Sequence, residues 1–517
     1  MAERRIIVDP MTRIEGHLRF ETHMTDGVVT DSKCSGDMYR GIEKGLIGYD
    51  ARVAQQVTQR VCGVCPYAHA EAAALALEAA MGLKPNENGQ LLRNLTVGAY
   101  HLQDYLLHFY ALCALDFIDI TAITSYQGRD AGMLQLKSWV AAELSGSKVW
   151  PAAPFLPRYQ AAYAKDRELN LSAIQNYLAA LPVMATLHKM VALFGGKAPH
   201  PVAIEAGGVT TTPTIERVAK YRQWLGQAAK FIRNNFHDDV VGVAKAFPGY
   251  FKEGRGYGNL LSYPWLPEGN GSKFAFAGGA TIGNQYAALN LDKITEDHAY
   301  AFYKANPNKA IKPLQLSALQ PISYDEYLAE KKKEGGKYTW TRAPRYGGEI
   351  MEVGPVARVV NTYLAGSNPA VTSQVDKYNK ALGISIRDYN SVMGRHLSRL
   401  ICAMVTLDTL ERQLEQIVPE ESAFIERAVP RNGRGVGLTE ATRGALAHWI
   451  ETDDKGMIRN YEMIVPTTWN MSPRDASGRP GAVEKMLIGT KVADAANPME
   501  LARIIRSTDP CMACSVH

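Results

Sequence analysis

Four of the seven cysteines in this chain form two Cys-x-x-Cys pairs, Cys62-Gly-Val-Cys65 and Cys511-Met-Ala-Cys514, near opposite ends of 517 residues. A Cys-x-x-Cys turn points two thiolates at one soft metal ion, so two turns that meet in space supply four sulfurs. One pair alone is a weak signal, because structural zinc sites and thiol redox motifs share it. Here both pairs carry further polar residues at short offsets. The first reads Arg60-Val-Cys62-Gly-Val-Cys65-Pro-Tyr-Ala-His69, and the second Asp509-Pro-Cys511-Met-Ala-Cys514-Ser-Val-His517. If the pairs meet, nearly the whole chain wraps around one site. The remaining cysteines read differently. Cys113 and Cys402 lie in apolar runs and read as core, since free cysteine packs as a small hydrophobe, whereas the neighbours of Cys34 do not decide its role. An odd count without a dense cysteine framework argues against a disulfide-stapled secreted domain.

The elements that position these residues follow from periodicity. The first thirty-odd residues alternate short apolar runs with turn signals and predict a small antiparallel sheet. Helical spacing from about 50 to 81 places the first cysteine pair within or between helices. An amphipathic helix is predicted over 91–117, with further helices over 171–194 and 215–235. One or two long helices are predicted over 371–417. The Gly-, Pro- and Tyr-rich stretch 248–340 reads as strands and long loops lying over the core, with Lys331-Lys-Lys-Glu-Gly-Gly-Lys as a solvated loop. Gly433-Arg-Gly-Val-Gly-Leu and Val465-Pro-Thr-Thr-Trp-Asn return to loop and strand. No repeat is visible. The expected fold is mainly α with peripheral β: one unit over 1–517, with a large helical-bundle core and small N-terminal and mid-chain sheets.

Bulk composition narrows the partners. With 57 basic and 52 acidic residues and 46% hydrophobic residues, and a mean hydropathy of −0.18, the chain is ordinary for a soluble protein. No basic run or basic helix face points to nucleic acid. The opening Met-Ala-Glu-Arg-Arg-Ile-Ile-Val-Asp is too short and too charged for a secretory signal. No uninterrupted apolar stretch of membrane-spanning length is found, so no direct membrane span is expected.

Together with Arg13-Ile-Glu-Gly-His17, the two cysteine blocks closely resemble the large, catalytic subunit of nickel–iron hydrogenases. The resemblance covers the whole chain. It includes Asp9-Pro-Met-Thr-Arg-Ile-Glu-Gly-His, Met38-Tyr-Arg-Gly-Ile-Glu43, Met351-Glu-Val-Gly-Pro-Val-Ala-Arg358, Arg443-Gly-Ala-Leu-Ala-His448 and Val465-Pro-Thr-Thr-Trp-Asn470. It implies that family's large-subunit fold and reversible heterolytic cleavage of H2 to protons and electrons. The cofactors it implies are nickel, iron carrying carbon monoxide and two cyanides, and a magnesium (or iron) ion near the C-terminus. The implied partner is an iron–sulfur small subunit in a heterodimer or higher oligomer, because no further cysteine cluster is left here to carry electrons. Location is then expected to be periplasmic or membrane-associated through that subunit, with the cytoplasm as the alternative. The family's large subunit is processed after its last histidine, so a chain stopping at His517 is expected to be the mature form.

By the same resemblance Cys62 and Cys511 are terminal nickel ligands, and Cys65 and Cys514 bridge nickel to iron. A structural zinc held by all four cysteines is the simpler alternative. Glu15 is the expected proton relay beside Cys511; otherwise it is a partner for Arg13 or a backbone cap. Arg443 is expected over the open side of the metals, held by Asp104 and Asp509, with a structural ion pair as its bland reading. Thr467, preceded by Pro466, is the expected hydroxyl donor to cyanide. His69 is expected to donate to a cysteine sulfur, although a lone histidine is more often packed core. Glu43, the carbonyl of Met463 and His517 are the expected ligands of the hard cation. Two positions leave the family pattern: Thr442 stands where proline is often found, and Pro66-Tyr67 where a Thr-containing form is common. Two other readings share the fold, a hydrogen sensor and a quinone-site subunit. The latter lacks the four cysteines as a set.

Overall fold

The computed structural model describes residues 3–146, 162–269, 271–304, 311–315 and 320–517. Strands Glu3–Val8, Leu18–Thr25 and Val28–Gly36 form the expected antiparallel N-terminal sheet. Its hairpin closes on Asp26 and Gly27, both at positive φ, as tight hairpins require. Alternation buries Leu18 and Phe20 on one face, and Cys34, opposite Phe20, is buried with them. The loop between the first two strands carries Glu15.

The first cysteine pair sits between helices. A 3-10 turn at Gln59–Val61 precedes it, and the Pro66–Met81 helix follows with proline at its first position, where no N–H is needed. This helix is alanine-rich because strand Arg434–Ala441 lies directly on it. A Cβ at Gly437 would stand 2.0 Å from the Ala72 carbonyl, and one at Gly435 2.1 Å from that of Ala76. Only glycine permits that approach.

The predicted 91–117 helix runs from Glu87 to Leu106, capped by Asn86, whose side chain accepts from Gly89 N–H at 2.8 Å. It is buried almost all round, as a core helix flanked by Arg167–Gly195 and Val392–Leu414 must be. It then widens to π geometry over Leu107–Cys113 before a 3-10 turn at Ala114–Asp116, so the single predicted helix is three segments. The 371–417 region is two helices, Pro369–Leu382 and Val392–Leu414, the first stopped by Gly383 at φ 65°. Cys113 and Cys402 are core, as expected.

The mid-chain stretch contains a four-stranded sheet built from Leu260–Ser262, Gly279–Ile282, Gln285–Ala287 and Glu352–Val353. Two local expectations are corrected. Lys331 and Lys332 end a helix, Tyr324–Lys332, started by a capping box between Ser323 and Glu326, and are not loop. Val465-Pro-Thr-Thr-Trp-Asn is not strand. Pro466 starts a short helix, Pro466–Asn470, immediately after strand Ile458–Ile464.

The Arg167–Gly195 helix is long and apolar enough to cross a membrane by length and composition, although the sequence showed no unbroken apolar stretch. Asn170, Asn176 and Pro182 interrupt it, and it packs against the Glu87–Leu106 and Ile215–Phe231 helices. Its composition fits a half-buried core helix equally well.

Candidate metal centre

The two cysteine pairs meet. The Arg13–His17 loop is fastened to the second of them: Glu15 N–H donates to the Pro510 carbonyl at 3.1 Å, and Met512 N–H to the Glu15 carbonyl at 2.9 Å. Arg40, inside the Met38–Glu43 block but not singled out from sequence, ties both turns. Its Nη2 donates to the carbonyls of Val61 and Ala513, each at 2.7 Å. Neither bond could be read from sequence, because each joins segments that meet only in the folded chain.

The four Sγ atoms form one buried cluster, all within 4.8 Å of one another. Neighbouring separations are 3.1 Å for Cys65–Cys514, 3.2 Å for Cys62–Cys511 and 2.9 Å for Cys511–Cys514, with 3.9 Å for Cys65–Cys511. Tetrahedral thiolates about 2.3 Å from a metal lie about 3.8 Å apart, so this cluster is on the scale of a single metal site. Hydrogen bonds from Cys511, Cys514 and Cys65 pull the Cys62 thiol well below its ordinary pKa, while burial pushes Cys511 and Cys514 well up. Four thiolates in so dry a place need a metal's charge among them, and the donor set fits a soft metal.

Glu15 Oε2 lies 3.1 Å from Cys511 Sγ and accepts the Ala513 N–H at 3.0 Å. Burial, followed by the Cys62 charge, raises its pKa. Arg13 does not pair with it. That guanidinium reaches Asp116 and the Leu112 carbonyl instead. Glu15 is half-buried, so one side of the carboxyl faces sulfur and the other lies close to the surface.

Arg443 stands at the tip of a two-residue hairpin, Ala441 pairing with Gly444. A side chain at Gly444 would collide with Gly354 N at 2.4 Å, so glycine there lets the tip press inward. Its Nη1 lies 3.1 Å from Asp104 Oδ2 and its Nη2 2.9 Å from Asp509 Oδ1, all three side chains being buried. Burial alone would lower the arginine's pKa, but the two carboxylates more than offset it. Asp104, pushed up by burial against the pull of Arg443, stands at about 6. Asp509 takes a left-handed backbone, φ 57°, just past the end of the Met499–Ser507 helix. Aspartate tolerates that region better than most residues.

The two positions that leave the family pattern touch each other. Tyr67 Oη donates to Thr442 Oγ1 at 3.3 Å and accepts the Thr442 N–H at 3.2 Å, and Thr442 Oγ1 donates to Asp104 Oδ2. A proline at 442 would have no N–H to offer. The Tyr67 hydroxyl and the Thr442 amide therefore satisfy one another in a place water does not reach. Tyr67→Phe is expected to cost about 1–3 kcal/mol by leaving that buried N–H unpaired, measured by chemical denaturation of the purified protein.

His69 Nε2 lies 3.5 Å from Cys514 Sγ, and its Nδ1 lies 3.1 Å from His448 Nε2. His448 Nδ1 in turn lies 2.8 Å from Tyr461 Oη. One tautomer set satisfies every member: the tyrosine hydroxyl donates to His448, His448 to His69, and His69 to the sulfur. Burial lowers His69 to about 3, which suits a neutral donor. Of these, His448 and Tyr461 were not identified from sequence. Thr467 Oγ1 accepts the Cys511 N–H at 3.1 Å, leaving its own proton free to donate, and Pro466 is buried beside it.

Glu43, Met463 and His517 converge at a second cluster. Met463 N–H donates to Glu43 Oε1 at 2.7 Å, and His517 Nε2 lies 3.1 Å from the same oxygen. Its centre is occupied by Arg342, which no sequence pattern singles out. Against the opposing cost of burial, the Arg342 guanidinium holds Glu43 at about 2. As arranged, these donors do not fit a hard cation.

Comparison with known proteins agrees with the cysteine geometry. A family described as nickel-dependent hydrogenase matches residues 40–517. The chain is 33% identical to the periplasmic [NiFeSe] hydrogenase large subunit of Desulfomicrobium baculatum, over 99% of this chain and 95% of that one. It is 31% identical to the hydrogenase-2 large chain of Escherichia coli K12, over 99% and 97%. Its structure superposes on the reduced Ni-Fe-Se hydrogenase of D. vulgaris Hildenborough with a TM-score of 0.85, at 35% identity and full coverage of both chains. The chain carries cysteine at all four sulfur positions. It belongs to the nickel-dependent hydrogenase family, as a large subunit of nickel–iron type.

Proposed function

We propose that this chain, as one unit from its N-terminal loop to His517, cleaves and forms H2 reversibly at a nickel–iron centre held by Cys62, Cys65, Cys511 and Cys514. The observation that carries the reading is the convergence of those sulfurs in one buried cluster. When bound, nickel and an iron with carbon monoxide and two cyanides supply the Lewis acid and redox capacity that so weak an acid as H2 needs. In this reading Cys62 and Cys511 would hold nickel alone, and Cys65 and Cys514 would serve both nickel and iron.

The residues around the sulfurs divide the remaining work. Cys511 Sγ carries a proton 3.1 Å from Glu15 Oε2, and Glu15 passes it towards the surface, taking and releasing protons as a general acid–base. Arg443 holds a fixed positive charge over the site, because a guanidinium stays ionised even when buried. Asp104 and Asp509 fix its two arms. His69 donates to the Cys514 sulfur and lowers its basicity. Thr467, with its hydroxyl proton free, is placed to donate to a cyanide nitrogen.

Electrons leave through a small iron–sulfur subunit; among this chain's cysteines only Cys34, Cys113 and Cys402 lie outside the cluster, and all are buried singly. The relatives' names as large subunits support such a partner, and one named periplasmic supports a periplasmic or membrane-associated location. A quinone-site reading does not account for four converging cysteines. Purified protein is expected to contain nickel and iron by mass spectrometry and to show infrared bands of bound carbon monoxide and cyanide. Zinc alone, without those bands, would overturn the reading.

A further inference from the structure

The cluster at the C-terminal end is assembled from donors that suit a hard cation: a carboxylate, a backbone carbonyl and an imidazole. The point these donors share is taken by a guanidinium nitrogen. Arg342 Nη2 lies 3.0 Å from Glu43 Oε1, 3.0 Å from the Met463 carbonyl and 2.9 Å from His517 Nε2. We propose that Arg342 is itself the cation of this site, so that in this chain a side-chain charge stands where a divalent ion would bind.

Geometry argues first. A hard divalent ion holds such donors at about 2.0–2.6 Å, whereas these stand at hydrogen-bond distance from a nitrogen. An ion drawn to the same point would overlap Nη2, so the site holds one cation or the other. The second arm of the guanidinium is also engaged, because Nη1 lies 3.0 Å from Glu296 Oε2 and 3.9 Å from Glu462 Oε1. Arg342 is 3% exposed and is held at both ends, at the wall of a cavity of about 460 Å³ that Glu43 and Tyr461 also line.

The neighbouring backbone fixes it there. Thr341, the residue before it, has its Oγ1 2.9 Å from Ser515 Oγ, and strand Ala343–Tyr346 begins directly after it. The histidine is set to receive it. His517 Nδ1 lies 2.6 Å from the Cys514 carbonyl and donates there, which leaves Nε2 as an acceptor facing the arginine. A permanently charged fork that reaches three carboxylates, a carbonyl and an imidazole is a task for arginine specifically. Gly41 N–H donates to the His517 carbonyl at 3.0 Å, so the segment carrying Cys511 and Cys514 is fastened by hydrogen bonds through Glu43 and Arg342.

The test is the metal inventory of the isolated complex, read separately from nickel at the cysteines. Wild-type protein is expected to carry no stoichiometric magnesium, calcium or manganese by mass spectrometry. Crystals measured at the iron edge are expected to show no anomalous peak between Glu43 and His517. R342A is expected to open the site and bind one Mn2+ per chain, seen by electron paramagnetic resonance, and E43Q in that background to abolish it. A stoichiometric hard cation or an iron peak at this point in the wild type would overturn the proposal. So would a folded R342A chain that takes up no Mn2+, because the donors would then not form a cation site. Should R342A fail to fold, the wild-type inventory decides alone.

Discussion

Glu15→Gln leaves the metal centre in place and slows H2-dependent dye reduction and hydrogen–deuterium exchange by roughly 10²- to 10⁴-fold, the range in which a positioned acid–base group contributes. The expectation rests on two bonds to one oxygen. Glu15 Oε2 faces the Cys511 sulfur at 3.1 Å and accepts the Ala513 N–H at 3.0 Å. A glutamine carbonyl can still accept that N–H, so the loop stays fastened to the second cysteine turn. What the amide cannot do is take a proton from sulfur. Infrared bands of bound carbon monoxide and cyanide should therefore match the wild type while turnover collapses. Wild-type turnover in the variant would remove Glu15 from the proton path. Glu15→Asp, with a shorter reach from the sulfur, is expected to fall between the two.

Arg443→Lys is expected to lower turnover by roughly 10²- to 10³-fold, comparable to removing one preorganised donor from an active site. Arg443 spans two carboxylates on different elements, Asp104 on the Glu87–Leu106 helix and Asp509 beside the second cysteine pair. A lysine ammonium can meet only one of them in this geometry and places its charge differently. Arg443→Ala goes further, leaving both carboxylates buried without their counter-charge. Loss of one member of a buried pair costs about 3–5 kcal/mol, so that variant is expected to be impaired in folding as well as in turnover. Denaturation midpoints read beside the infrared bands separate the two effects: the lysine variant should be folded and slow, the alanine variant unstable. A fully active Arg443→Lys enzyme would make the arginine a structural ion pair and nothing more.

Much of this site was legible because its chemistry is carried by residue types at short, fixed spacings. Two Cys-x-x-Cys turns, each with polar residues at set offsets, announce their ligand atoms without a structure. So does the Arg13–His17 block that places Glu15. Secondary structure was legible where one period ran long, as in the N-terminal sheet and the helices around 171–194 and 392–414. Reading failed where geometry changes within a run. The π segment at Leu107–Cys113 has the same apolar character as the α-helix before it. The short helix at Pro466–Asn470 follows a strand directly, with only Pro466 to mark its start.

Contacts between distant segments were not legible at all. Tyr67 and Thr442 each left the family pattern, yet nothing in the sequence says that one hydroxyl answers the other's amide across 375 residues. Arg40 holds the cysteine turns, and His448 orients His69 beside them, through bonds that exist only once the chain is folded. By itself the sequence determined the family and the four sulfurs, since those depend on residue identity and local spacing. The tertiary structure alone decided which charges fill the space between these residues. It set Arg443 between two aspartates and put Arg342 where the family resemblance had implied a metal ion. Placement of a long flexible side chain depends on packing from every side, and no local pattern encodes it.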